Sequence, residues 1–165
     1  MNVIELLLTE LAQEAIVTRK MLALVPVDKF DWAPHERSMK MKALAGHVAE
    51  LPSWIKLALT TKELDFATVP YEPAQVASNA DLLAILEKSL EEAQSSLQQT
   101  NEARLNERWV LRTGETIHAD MSVYEMIRNS CSQVTHHRAQ LGVYLRLLDI
   151  PIPGSYGPSA DDQNF

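Results

Sequence analysis

Cysteine is nearly missing from this chain: Cys131 stands alone, so no internal disulfide can close, which agrees with a reducing compartment. Glycine is scarce as well, with five in 165 residues, and 46% hydrophobic against 22% charged residues suits one compact helical domain over 1–165. No apolar run approaches the roughly 20 residues that span a bilayer. The start, MNVIELLLTELAQEA, puts acids where a secretory signal needs a basic region, so a cytoplasmic protein is expected, with no membrane partner. Clustered basic residues are also lacking. The 15 Lys and Arg are scattered, the formal charge is −7 and the pI is near 5.2, which argues against a nucleic-acid partner. There is no internal repeat and no low-complexity tract.

What is present is apolar periodicity in four blocks. The first, about 3–24, carries Ile4, Leu7, Leu8, Leu11, Ala15 and Leu22 on one side and ends before Pro26. The second is expected to start at a Ser38 cap and to carry Met41, Leu44, Val48, Leu51 and Ile55 inward. Pro52 lies inside it and predicts a kink about one turn past His47. The third is capped by Ser78-Asn79-Ala80-Asp81 and shows a core stripe of Leu83, Leu86, Leu90, Ala93 and Leu97. The texture then changes: in WVLRTGETIH, branched and aromatic residues flank Thr113-Gly114, as a short hairpin or extended segment requires. Ser122 and Glu125 form a capping-box signature for the fourth helix, whose apolar positions run through Ile127, Val134, Leu141, Leu145 and Leu148 until Pro151. The expectation is an all-α four-helix bundle with that segment between helices three and four.

A buried polar group needs an explanation, and the histidines are the place to look. Gln133, His137, Leu141 and Tyr144 are spaced by four, four and three, so they share one stripe bordering the core row. His136 is rotated by about 100°, so only one of the adjacent pair is expected to face inward. On the second helix His47 stands beside Leu44 and Leu51, with Glu50 one turn on. Two inward imidazoles on facing helices suit a metal ion such as zinc, nickel, copper or iron. They equally suit partly buried histidines satisfied by hydrogen bonds.

The run HHRAQLGVYLRLLDIPIPGSYGPSADD, with GHVAEL at 46–51 and WAPHERSMKM at 32–41, resembles the DinB-like, or YfiT-like, family over essentially the whole chain. Its most specific parts are His-Arg-x-Gln at 137–140 and the Pro-x-x-Tyr-Gly-Pro-Ser-Ala tail at 153–160. The resemblance implies a four-helix bundle, often dimeric, in which one histidine of the second helix and two of the last, four residues apart, bind a divalent metal. Carried over, the ligands fall on His47 and His137, while the third falls on Gln133, a poorer ligand than imidazole. Glu50 is the alternative completion.

The other signals are weaker. Glu115-Thr-Ile-His118 fits one half of a di-iron motif, but its second copy is missing. Cys131 reads as a small core residue without an activating base, and Trp32, Trp54 and Trp109 read as packing anchors, with Trp54 able to line a pocket mouth. Arg138, Arg146 and His35 read as surface charges or caps. Two function classes follow from the resemblance. One is a metal-dependent transferase joining a low-molecular-weight thiol to a small electrophile, with Tyr144 or Glu50 managing the proton. The other is a non-catalytic metal-binding or stress-response bundle with a degenerate site. A homodimer is implied by resemblance alone.

Overall fold

Residues 2–163 are described by the structure, a computed structural model. The first long helix, α1 (Val3–Ala23), starts where the Asn2 side chain accepts from the Glu5 amide and the Glu5 carboxylate accepts from the Asn2 amide. Its open carbonyl end is closed from elsewhere in the chain: the Asn79 side-chain amide donates to the carbonyls of Leu22, Ala23 and Val25.

The second block is two helices, α2 (Met41–Glu50) and α3 (Ser53–Thr60), where a single kinked one was expected. Pro52 has no N–H to donate, and the chain passes through a turn at Leu51-Pro52 before helix resumes. The buried Ser130 hydroxyl donates to the Leu51 carbonyl at 2.7 Å, which satisfies the junction and ties it to the last helix. The Ser38 cap is also corrected. Lys40 occupies the cap position without a side-chain bond, and the first amides of α2 find acceptors in the preceding loop, Met41 on the Trp32 carbonyl and Lys42 on that of Phe30. Arg104 closes the far end of α3 by donating to the carbonyls of Ala58, Leu59 and Thr61.

After β1 (Glu63–Asp65), α4 (Asn79–Gln99) carries the Ser78/Asp81 capping box. Its buried stripe is Leu82, Leu86, Leu90, Ala93 and Leu97; Leu83 packs at the margin instead. A short α5 (Glu102–Leu105) leads to β2 (Arg108–Thr113) and β3 (Thr116–Ser122), which pair antiparallel, while β1 joins β2 in parallel. The described residues are mostly helical, with six α-helices and a small three-stranded sheet in the order β1-β2-β3, where an all-α bundle with one short hairpin or extended segment was expected. The sheet is anchored by Trp109, fully buried, whose indole N–H donates to Thr61 Oγ1 at 3.1 Å. The last helix, α6 (Val123–Leu147), starts on the Ser122/Glu125 capping box and ends ahead of Asp149, which takes a left-handed φ of 57°.

One apolar core is shared by α1, the α2–α3 pair, α4 and α6. Arg138, expected at the surface, lies inside it at 3% exposure. Its Nη1 is 2.7 Å from Glu14 Oε2 and donates to the Glu14 carbonyl and the Thr18 hydroxyl. The tail closes over this pair: the Tyr156 hydroxyl donates to Glu14 Oε1 at 2.5 Å, and the Arg138 guanidinium sits 5.7 Å from the Tyr156 ring centre. No helix among the described residues is long and apolar enough to cross a membrane.

Candidate metal centre

His47 on α2 and His137 on α6 meet across the helix interface, with ring centres 4.8 Å apart and planes at 72°. Each ring is oriented by an acceptor three residues further along its own helix, where the helical repeat brings side chains together. His47 Nδ1 lies 2.8 Å from Glu50 Oε1, and His137 Nδ1 lies 2.8 Å from Gln140 Oε1. A carboxylate or amide oxygen can only accept, so Nδ1 carries a proton, and in the neutral ring the lone pair is then on Nε2. Neither Nε2 has a hydrogen-bond partner among the described residues. This is the arrangement by which a carboxylate or amide presents an imidazole to a metal. Burial, foremost, holds His137 below the ordinary histidine range, with the nearby imidazoles adding to it against the Gln140 bond.

The sequence-predicted residues are distributed unevenly around this pair. Gln133 stands one turn before His137 on α6, half-buried, and its amide makes no hydrogen bond to a described residue. Glu50 is behind His47 as its Nδ1 acceptor. Tyr144 is buried, stacks edge-on against Trp32 at 5.7 Å, and donates its hydroxyl to the Met39 carbonyl at 3.1 Å. Its hydroxyl therefore supports Met39 in the wall of the site. His136 is exposed, 4.8 Å ring to ring from His137. Among the described residues no three His, Cys, Asp or Glu side chains form a metal-holding group.

Two roles escaped sequence reading. One is that of Gln140, seen only as part of the His-Arg-x-Gln run; its signal was the His-x-x-acceptor spacing, which His47 and Glu50 repeat. The other is that of Tyr71: from the loop between β1 and α4, it donates to the same Glu50 Oε1 at 2.5 Å, and its ring meets His47 edge-on at 6.4 Å. Burial and the Glu50 bond push the Tyr71 hydroxyl well above the usual phenol range, so it stays a donor. No periodicity marks a loop residue. Trp54, Phe66, Pro70, Tyr71 and Met39 line a cleft of about 660 Å³ onto which both imidazoles open. Cys131 is buried away from the cleft, its thiol pushed up to about 11 by burial. His118 is engaged at Thr113 in the sheet, apart from any metal group.

The mostly helical frame with two imidazoles facing each other across α2 and α6 defines a class of helical proteins with an interhelical histidine site. The chain belongs to the DinB family, whose model matches residues 1–164. A DinB-like protein from Bacillus subtilis has the same fold at TM-score 0.71 and 16% identity, covering 91% of this chain and 97% of the other. One from Bacillus cereus gives 0.69 and 17%, covering 92% and 97%. The mycothiol-dependent maleylpyruvate isomerase is a more distant structural neighbour, at TM-score 0.56 and 17% identity, covering 84% of this chain and 60% of that one. No curated protein matches the sequence.

Proposed function

We propose that this DinB-family chain binds one divalent ion, zinc or nickel, through His47, His137 and Gln133, and uses it to transfer a low-molecular-weight thiol to a small electrophile. The observation that carries the reading is the pair of imidazoles with Nδ1 engaged by Glu50 and Gln140 and Nε2 open. When bound, the ion lowers the pKa of a thiol so that a thiolate is available at neutral pH. Glu50 holds the His47 tautomer and, through its carboxylate, accepts the proton that such a thiol gives up; Tyr71 holds Glu50 in turn. Met39, kept in place by Tyr144, and the aromatic wall limit water around the imidazoles. The thiol dependence of the distant isomerase supports the thiol class. The reading includes the family's four-helix bundle, formed by α1, α2–α3, α4 and α6, and a homodimer.

Gln133 favours a second reading, in which the same ion is held weakly and fixes the α2–α6 crossing without catalysis, because an amide oxygen is a poorer ligand than imidazole. Metal content per chain after zinc or nickel loading and gel filtration tests both. One ion per chain in the wild type, lost in His47→Ala and in His137→Ala, is expected, with tighter retention in Gln133→His. Absence of retained metal in both the wild type and Gln133→His overturns the site. Thiol conjugation by the loaded wild type supports the transferase; metal retention that raises the melting temperature with no conjugation across a panel of thiols supports the second reading.

A further inference from the structure

The cleft in front of the two imidazoles is sorted by charge. Its wall is Met39, Trp54, Phe66, Pro70 and Tyr71, with no lysine or arginine. Of the two polar groups this wall carries on its side chains, the Trp54 indole N–H and the Tyr71 hydroxyl, both are uncharged, and the hydroxyl is spent on Glu50. The fixed charge bonded to residues of the lining is the Glu50 carboxylate behind His47, which is negative and is shared by the His47 and Tyr71 donors. Lys40 and Lys42 line a second, smaller cleft that shares His47 and Tyr71 with this one, and there Lys40 pairs with Asp31.

An anion entering the apolar lobe would lose hydration, meet no counter-charge and face a carboxylate across one imidazole. A flat apolar group would instead cover the faces of Trp54 and Phe66 and displace water from about 660 Å³, a volume within the usual range for a small-molecule site. We propose that the lobe formed by Trp54, Phe66, Pro70 and Tyr71 binds an uncharged, ring-bearing apolar molecule and rejects carboxylates. It rests on reading the cleft as the working face of the His47–His137 site, and it makes this chain's ligand chemically distinct from maleylpyruvate, a dicarboxylate.

The test uses the full chain, freed of metal, and two probes that share one ring system, 2-naphthalenemethanol and 2-naphthoate, with binding measured by calorimetry at pH 7.5. The alcohol is expected to bind at least about tenfold tighter than the carboxylate, and Trp54→Ala or Phe66→Ala to weaken it by about tenfold, a spacing equal to about 1.4 kcal/mol. Circular dichroism checks that each variant folds, and either variant alone suffices if the other does not. Equal or tighter binding of naphthoate, no binding of either probe, or alcohol binding unchanged in the folded variants overturns the proposal. If the alcohol binds as expected while the wild type retains no metal, the lobe stands and the metal reading falls; metal retention without alcohol binding has the opposite meaning.

Discussion

Removing Arg138 tests how the core holds α6 in place. Arg138 is 3% exposed, its Nη1 is 2.7 Å from Glu14 Oε2, and it donates to the Glu14 carbonyl and Thr18 Oγ1. Methionine at 138 keeps an unbranched stem reaching about as far as Arg Nε and removes the charge and all donors. The Glu14 carboxylate is then left without a counter-ion, and Oε2 already lacks a hydrogen bond. Breaking a buried pair from one side costs about 3–5 kcal/mol. Glu14 is 16% exposed and keeps the Tyr156 hydroxyl on Oε1, which places this case at the low end, about 3 kcal/mol. For a chain of this size that is a melting point lower by about 6–12 °C. Urea unfolding followed by circular dichroism gives the free energy. Arg138→Met with Glu14→Gln should recover most of the loss, since the uncompensated charge is gone. A single variant that loses less than about 1 kcal/mol, or a double variant no better than the single, refutes the reasoning.

Three further outcomes follow from other parts of the molecule. Glu50→Ala leaves His47 Nδ1 without its acceptor and should weaken zinc or nickel binding by about 10–100-fold, read by competition with a chromophoric chelator; unchanged affinity would show that Glu50 does not orient the ligand. Cys131, with a thiol near 11 and little exposure, should react with iodoacetamide at pH 8 only after urea is added, because only about one thiol in a thousand is ionised there; mass spectrometry of the folded protein gives the answer. Asp65 accepts from the Gly114 and Ala67 amides, and these bonds hold its carboxyl below the usual range. Because the folded value is the lower one, its contribution is complete above about pH 4 and disappears as pH falls through the folded value, so the urea midpoints of wild type and Asp65→Ala should converge in acid.

The parts of the fold that were legible are those whose causes are local. Ser78 and Ser122 announce their helices because a hydroxyl and a carboxylate three residues on satisfy each other's backbone amides. Where the cause lies far along the chain, reading failed. Strand β1 has three residues and exists through pairing with residues 110–112. Ser38 caps nothing because loop carbonyls of Trp32 and Phe30 have already taken the first amides of α2. Leu82 displaces Leu83 from the core, since a 3–4 stripe leaves the helix free to rotate by about one residue until its neighbours fix it. Arg138 looks like a surface charge until α1 brings Glu14 and Thr18 to it from 124 and 120 positions away.

The candidate site divides along the same line. The orientation of each imidazole is a local matter: both helices carry an acceptor three residues after the histidine, so a proton is set on Nδ1 by a contact within the helix. The 4.8 Å approach of the rings is not local. It needs the chain to break at Pro52 and the Leu51 carbonyl to be taken by Ser130 of α6, which fixes α2 against that helix seven residues before His137. It also needs Arg138, the neighbour of His137 in sequence, to hold α6 against α1. The loop that carries Tyr71 then closes the Glu50 side, a position that no pattern in the sequence marks. A change at Ser130 or Arg138 should therefore disturb the His47–His137 pair without touching either ring, whereas a change at Glu50 or Gln140 should alter one ring and leave the helix crossing as it is.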